Sequence, residues 1–327
     1  MYSLLRMMPC MSLQRKVLLG VGVAVTIWLV LCAVAGIIAA EGVLHPARRA
    51  LTQSDEARAT EIAENHHAAL EQVEISADDG TVLRAWYIHL ADGNGDAVIL
   101  LHGQADNRAG LLGPADLMLR YGYAVLLPDA RGQGTSDGEF ATYGIKEASD
   151  IWLWSKWLAQ AQAPRCIDAL GESMGAAQLL ESLKMEPGFC AVIAESSFAN
   201  FREASYDRIG EWFDAGPWLG RTVLRPVVEF GLIYASLKYG VELSQDDPAQ
   251  TVAASHIPVL LIDGLLDNNL PPYNSEMILA ESRGRNPNVV LWEPPDAGHC
   301  GAFAAEPAEF ERRVIIWFQD HQVFSRM

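Results

Sequence analysis

Cysteine is scarce in this chain: Cys10, Cys32, Cys166, Cys190 and Cys300 are the only five in 327 residues. Their spacing fits neither a zinc site nor a disulfide-stapled miniprotein. Positive charge is also in short supply, with 24 Lys and Arg against 41 Asp and Glu. Residues 1–40 carry Arg6, Arg15 and Lys16 and no acid, so residues 41–327 hold the other 21 basic side chains and all 41 acids, net −20. A surface that acidic repels phosphate backbones, which excludes nucleic acid as a partner and disfavours strongly anionic substrates. A dinucleotide fingerprint is missing too. The glycine-rich Arg131-Gly-Gln-Gly-Thr-Ser-Asp-Gly138 lacks the lysine of a phosphate loop and reads as a turn bracing its surroundings. The adjacent histidines His66 and His67 would face apart on a helix, so no metal site is expected there. Internal repeats and low-complexity tracts are absent.

One long hydrophobic run is present. Val17 to Ala40 covers 24 positions without a charge, and only Thr26 has a polar side chain. At 1.5 Å per residue it extends about 36 Å, enough to cross a hydrocarbon layer of about 30 Å with some tilt. A cleaved signal peptide is the alternative, with Ala33-Val34-Ala35 as its cleavage signal, but signal cores usually stop sooner. The expectation is an uncut single-pass anchor behind a basic tail, residues 1–16. The N-terminus is placed in the cytoplasm and the remainder outside, because Arg6, Arg15 and Lys16 lie tight against the span. Secretion after cleavage is the other reading.

Residues 41–70 are polar and rich in Ala, Glu and Arg, which predicts a helical stalk. A hairpin follows, from Val73 to Ile88 around Ala77-Asp-Asp-Gly80. From residue 97, short apolar runs alternate with helical segments: Ala97–Leu101, Ala124–Leu127, Ile167–Leu170, Ala191–Ala194, Ile257–Ile262 and Val289–Trp292. Runs apolar on both faces and separated by helices predict an α/β domain over 71–323, a mostly parallel, doubly wound sheet with helices on both faces. The link between Ala194 and Ile257 is too long for a simple crossover and is rich in aromatics, among them Phe198, Phe201, Trp212, Phe213 and Trp218. It predicts a helical cap inserted at about 196–250. Cys166 and Cys190 each start a predicted strand, and those strands should be neighbours. A bridge is geometrically feasible there, but two buried thiols are the expectation.

The chemistry gathers at the strand ends. Ile167–Leu170 enters Gly171-Glu172-Ser173-Met174-Gly175 and a helix-prone segment follows, the strand–turn–helix context in which a serine hydroxyl is lifted clear of the backbone. Two other strand ends supply its expected partners. Asp267 follows the strand ending at Ile262, and His299 follows the strand ending at Trp292. A serine is a poor nucleophile until an imidazole takes its proton, and a carboxylate holds that imidazole in the right tautomer. Asp263 and Glu195 are rival carboxylates. His102-Gly103-Gln104 ends the strand Ala97–Leu101, and the N–H of Gln104 with that of Met174 would form an oxyanion hole.

With these motifs in order, the chain resembles the alpha/beta-hydrolase superfamily. The resemblance runs through His102-Gly103, Asp129-Ala-Arg131-Gly132-Gln-Gly134-Thr-Ser136, Gly171-Glu-Ser173-Met-Gly175, Gly264-Leu-Leu-Asp267 and Gly298-His299, and covers roughly residues 70–323. It is most similar to membrane-anchored serine hydrolases with a short cap, a branch with esterases and thioesterases. That resemblance implies a Ser173/His299/Asp267 triad, no cofactor, and a small-molecule or lipid-like acyl substrate. Serine at the elbow argues against epoxide or haloalkane hydrolysis, which use aspartate there. Two positions depart from the pattern: Asp263 stands where a histidine or similar residue often precedes the glycine, and Gln104 occupies a variable position. A peptidase or amidase, an acyltransferase, and a catalytically silent binding module are the alternatives.

Overall fold

The computed structural model describes residues 13–212 and 216–322. Arg6, Cys10 and most of the basic tail, and Phe213 of the expected cap, lie outside the described residues. The chain begins with helices α1 (Leu13–Leu44) and α2 (Gln53–Asn65), then strands β1 (Ala68–Ser76), β2 (Val82–Leu90) and β3 (Ala97–Leu101). Next come α3 (Leu112–Arg120), β4 (Ala124–Pro128), α4 (Glu147–Gln162), β5 (Ile167–Glu172), α5 (Met174–Ser182) and β6 (Val192–Glu195). The cap supplies α6 (Phe201–Glu211), α7 (Gly216–Arg221) and α8 (Arg225–Tyr239). The chain ends with α9 (Pro248–Ala254), β7 (Val259–Ile262), α10 (Tyr273–Ser282), β8 (Val289–Trp292), α11 (Ala302–Ala305) and α12 (Pro307–His321).

The strands form one eight-stranded sheet in the order β1-β2-β4-β3-β5-β6-β7-β8. β1, β2 and β4 pair antiparallel, and every later pairing is parallel. Side-chain alternation divides the core. On β3, Val98 and Leu100 join Leu112, Phe310 and Phe318 of α3 and α12 on one face. Ala97, Ile99 and Leu101 join Trp154, Leu179 and Ile278 of α4, α5 and α10 on the other. All five β3 residues are buried, as a central parallel strand covered on both faces requires. This is the mostly parallel, doubly wound α/β architecture that the alternating apolar runs predict.

The stalk expected over 41–70 is not there. α1 continues to Leu44, residues 46–52 cross the domain surface, and α2 is docked on the core through Ala59, Ile62 and Ala63. Those three recur at i, i+3 and i+4, a stripe that the surrounding charged residues obscure in the sequence. Thr52 and Asp55 close a capping box at the start of α2, and His67, at φ 52°, breaks the helix before β1. The crossing segment is tied down as well. Arg49 reaches Asp55 (2.8 Å) and Asp106 (2.6 Å), and Arg48 donates to the carbonyls of Gly134 and Ser136.

Cys166 and Cys190 are bonded, with Cα atoms 5.8 Å apart, so the expectation of two thiols is also corrected. Residue 166 precedes β5 and residue 190 precedes β6, and pairing of the two strands brings the cysteines within bridging range.

Helices α6, α7 and α8 lie over the strand ends, and apolar side chains of α6 and α8 join α1. On α1 the buried positions are Cys32, Gly36, Ala40 and Leu44, one every fourth residue. They pack on Val227, Val228, Gly231, Leu232 and Ala235 of α8. A Cβ on Gly36 would collide with the Val227 carbonyl, so small residues let the two backbones touch. Above this seam Glu41 accepts from Lys238 (2.7 Å) and from the hydroxyls of Tyr239 (2.8 Å) and Tyr234. Among the described residues α1 alone is long and apolar enough to cross a membrane.

Candidate active site

Ser173 sits between β5 and α5 at φ 53°, ψ −116°, a conformation that L side chains rarely adopt. The turn closes only because its flanks are glycine: a Cβ on Gly171 would stand 2.5 Å from the Gly175 carbonyl, and one on Gly175 would strike the Leu101 carbonyl. The Ser173 N–H donates to the carbonyl of Glu195 on the neighbouring strand (2.8 Å), which anchors the turn to the sheet.

His299 Nε2 lies 2.9 Å from Ser173 Oγ, and its Nδ1 lies 2.7 Å from Asp267 Oδ2. A carboxylate only accepts, so the proton sits on Nδ1 and Nε2 is left to accept from the serine hydroxyl. The second Asp267 oxygen accepts from the backbone N–H groups of Asn269 (2.8 Å) and Leu270 (2.9 Å). Burial pushes the Asp267 carboxyl up, but the hydrogen bond from His299 and those from Leu270 and Asn269 hold it below the usual range, so it stays ionised. The two rival carboxylates point elsewhere. Asp263 accepts from the Ser275 hydroxyl (2.7 Å), and Glu195 accepts from the Ala302 N–H (2.9 Å).

The loop after β3 is held from behind by His102. Its Nε2 accepts from the Ala130 N–H (3.1 Å), so Nδ1 carries the proton and donates to the Gly103 carbonyl (2.8 Å). Burial lowers its pKa and keeps the ring neutral in that tautomer. Gly103 passes close to the serine, since a Cβ there would be 3.4 Å from Ser173 Cβ. Gln104 and Met174 both line the cavity that holds Ser173. The glycine-rich turn after β4 is spent on bracing. Arg108 pairs with Asp129 (2.8 Å), Arg131 pairs with Asp150 (2.6 Å), and the Thr135 N–H donates to Asp129 (2.7 Å).

The sequence reading missed two features. One is a pair of acids beside the serine, the half-buried Glu172 and the buried Glu195, which are cross-strand neighbours. Burial, and for Glu172 the neighbouring Glu195, raises both well above the carboxylate range. The other is the make-up of the cavity, about 830 Å³ in volume. Phe198, Phe201 and Trp212 of the cap region line it, but so do Trp28, Leu31, Ala35, Ala39 and Val43 of α1. The sequence signal was available in the four-residue spacing of Cys32, Gly36 and Ala40 on α1 and of Gly231 and Ala235 on α8.

The sequence profile of the alpha/beta hydrolase family matches residues 98–313. An uncharacterised protein of Mycobacterium tuberculosis is 28% identical over 247 residues, 75% of each chain. The uncharacterised YfhR of Escherichia coli is 24% identical over 254 residues, 76% of this chain and 80% of that one. Among solved structures, the Pyrococcus furiosus esterase Pf2001 superposes with a TM-score of 0.67 at 24% identity, over 86% of this chain and 98% of the esterase. The Pyrococcus horikoshii acylaminoacyl peptidase gives 0.59 at 18% identity, over 78% of this chain and 42% of the peptidase. At such identities the structural likeness speaks for the fold.

Proposed function

Starting from the fact that this chain belongs to the alpha/beta hydrolase family, we propose that it is a serine hydrolase cleaving a carboxylic ester or thioester. The observation that carries the reading is the unbroken relay from Ser173 Oγ through His299 to Asp267, at 2.9 and 2.7 Å. Ser173 attacks the acyl carbonyl while His299 Nε2 takes its proton. The imidazolium, steadied by Asp267, returns that proton to the departing alcohol or thiol. The tetrahedral oxyanion is received by the N–H groups of Gln104 and Met174, the latter at the N-terminus of α5. Water activated by His299 then releases the acid and restores the serine.

The same reading keeps α1 as an uncut anchor with the catalytic domain on the extracytoplasmic side. Cleavage after Ala35 would cut the helix within the stretch packed on α8. Arg15 and Lys16 at the other end favour a cytoplasmic N-terminus, and the Cys166–Cys190 bridge suits an oxidising compartment. The test is Ser173→Ala in the full chain, assayed with p-nitrophenyl butyrate. We expect turnover to fall by at least about 10,000-fold with the fold intact by circular dichroism; persistence of activity in that variant would remove the assignment.

A further inference from the structure

Resting on the serine hydrolase reading, we propose that α1 is a wall of the substrate site as well as an anchor, and that the substrate is a neutral long-chain acyl ester drawn from the surrounding membrane. The cavity that holds Ser173 is bordered by Val43, Ala39, Ala35, Leu31 and Trp28, a ladder of residues along one side of α1. From Val43 to Trp28 the ladder covers about 22 Å of helix, comparable to an extended fatty acyl chain. Four of these five residues fall inside the apolar run Val17–Ala40, the part of the chain long and apolar enough to cross a membrane.

The wall is built rather than incidental. Gly36 and Ala40 seat α1 against α8, and Glu41 clasps Lys238, Tyr234 and Tyr239 at its upper end. Tyrosine and lysine gathered at one level are what a helix presents at a membrane–water boundary. Below that level the wall is open: Leu31 and Ile38 line the cavity and are 62% and 67% exposed. The flank of α8 continues this surface, with Ile233 and Leu237 at 53% and 82% exposure. With α1 in a bilayer as an anchor, this open apolar wall would stand in hydrocarbon, and a ligand dissolved there would reach the cavity directly.

The polar groups point to a neutral ester. Arg208 is the one cation lining the cavity among the described residues, and its Nη1 is shared between Glu211 (3.2 Å) and the Asn269 carbonyl (3.3 Å). With a single, already paired cation in an otherwise apolar lining, the cavity suits a neutral ester better than a charged headgroup.

The test uses the full chain in phosphatidylcholine vesicles and two fluorophosphonates, one with an ethyl tail and one with a hexadecyl tail, reading the rate at which each labels Ser173. We expect the hexadecyl probe dissolved in the protein's own vesicles to react at least ten times faster than the ethyl probe. The same hexadecyl probe supplied in separate vesicles should react slowly. Ala39→Trp, which fills the ladder at its middle, should lower the hexadecyl-to-ethyl ratio about tenfold. The smaller change Ala35→Phe should move it the same way if Ala39→Trp does not accumulate. Equal rates for the two probes, equal rates from own and separate vesicles, or an unchanged ratio in both variants would overturn the proposal while leaving the serine assignment standing. Absence of labelling by either probe would remove the serine assignment and the proposal together.

Discussion

The two sides of the cavity are held by different forces. Ser173, His299 and Asp267 stand on loops at the ends of β5, β8 and β7, each fixed by directed hydrogen bonds to backbone or to one another. Opposite them, α1 and α8 meet through Cys32, Gly36, Ala40, Val227 and Gly231, with close packing and few directed bonds. Directed bonds fix atoms to within tenths of an ångström, which proton transfer requires. Apolar packing is less exacting about position and more exacting about volume, which suits choosing among acyl chains. On the proposed serine hydrolase reading, the polar side should therefore govern how fast the reaction runs, and the apolar side what it runs on.

The largest test of that division is Asp267→Asn. The amide cannot hold His299 in the tautomer that accepts from serine, and the loss in kcat/KM should be about 10,000-fold. Because the apolar wall is untouched, the relative rates on esters from two to sixteen carbons should keep their wild-type order. A reordered profile would mean that the two sides are not separable.

The converse change is Gly36→Leu. Its side chain would meet the Val227 carbonyl and the backbone of Gly231, and overpacking of this kind costs about 1–3 kcal/mol. Here α1 should shift on α8, and kcat/KM for long esters should fall more than that for short ones. A uniform fall across chain lengths would assign the seam to stability alone.

The two sides also differ in how much of them could be read from the sequence. The meeting of Ser173, His299 and Asp267 is legible because Gly171 and Gly175 are demanded by the turn around Ser173, and because Asp267 and His299 each lie just past an apolar run. Those are local relations within a few residues. The wall is not local. The stripe on α1 announces that something packs there, but its partner α8 lies almost 200 residues on, and a hydrophobic helix reads the same whether it faces lipid, protein or both. α2 was misjudged for a related reason: its many charged residues outweigh the three apolar positions that dock it. The Cys166–Cys190 bridge required knowing the register of β5 on β6, which spacing alone does not supply.

The smallest test lies within the polar side, where Asp263 and Asp267 are four residues apart and opposite in character. Asp267 is ionised because three donors surround it. Asp263 has the Ser275 hydroxyl on one oxygen and no partner among the described residues on the other, and burial together with Asp267, Glu195 and Glu293 pushes it up to about 8. An acid whose folded pKa is raised holds its proton more tightly folded than unfolded. Its contribution to stability is therefore fully present below the unfolded value near 4 and is lost as pH rises toward 8. Asn at 263 has no proton to lose and keeps a carbonyl for Ser275. Asp263→Asn should match the wild type in Tm near pH 4 and exceed it by roughly 2–5 °C at pH 8.5. Thermal melts across that range measure the difference directly, and a Tm gap that does not change with pH would mean that Asp263 is ionised in the fold, as Asp267 is.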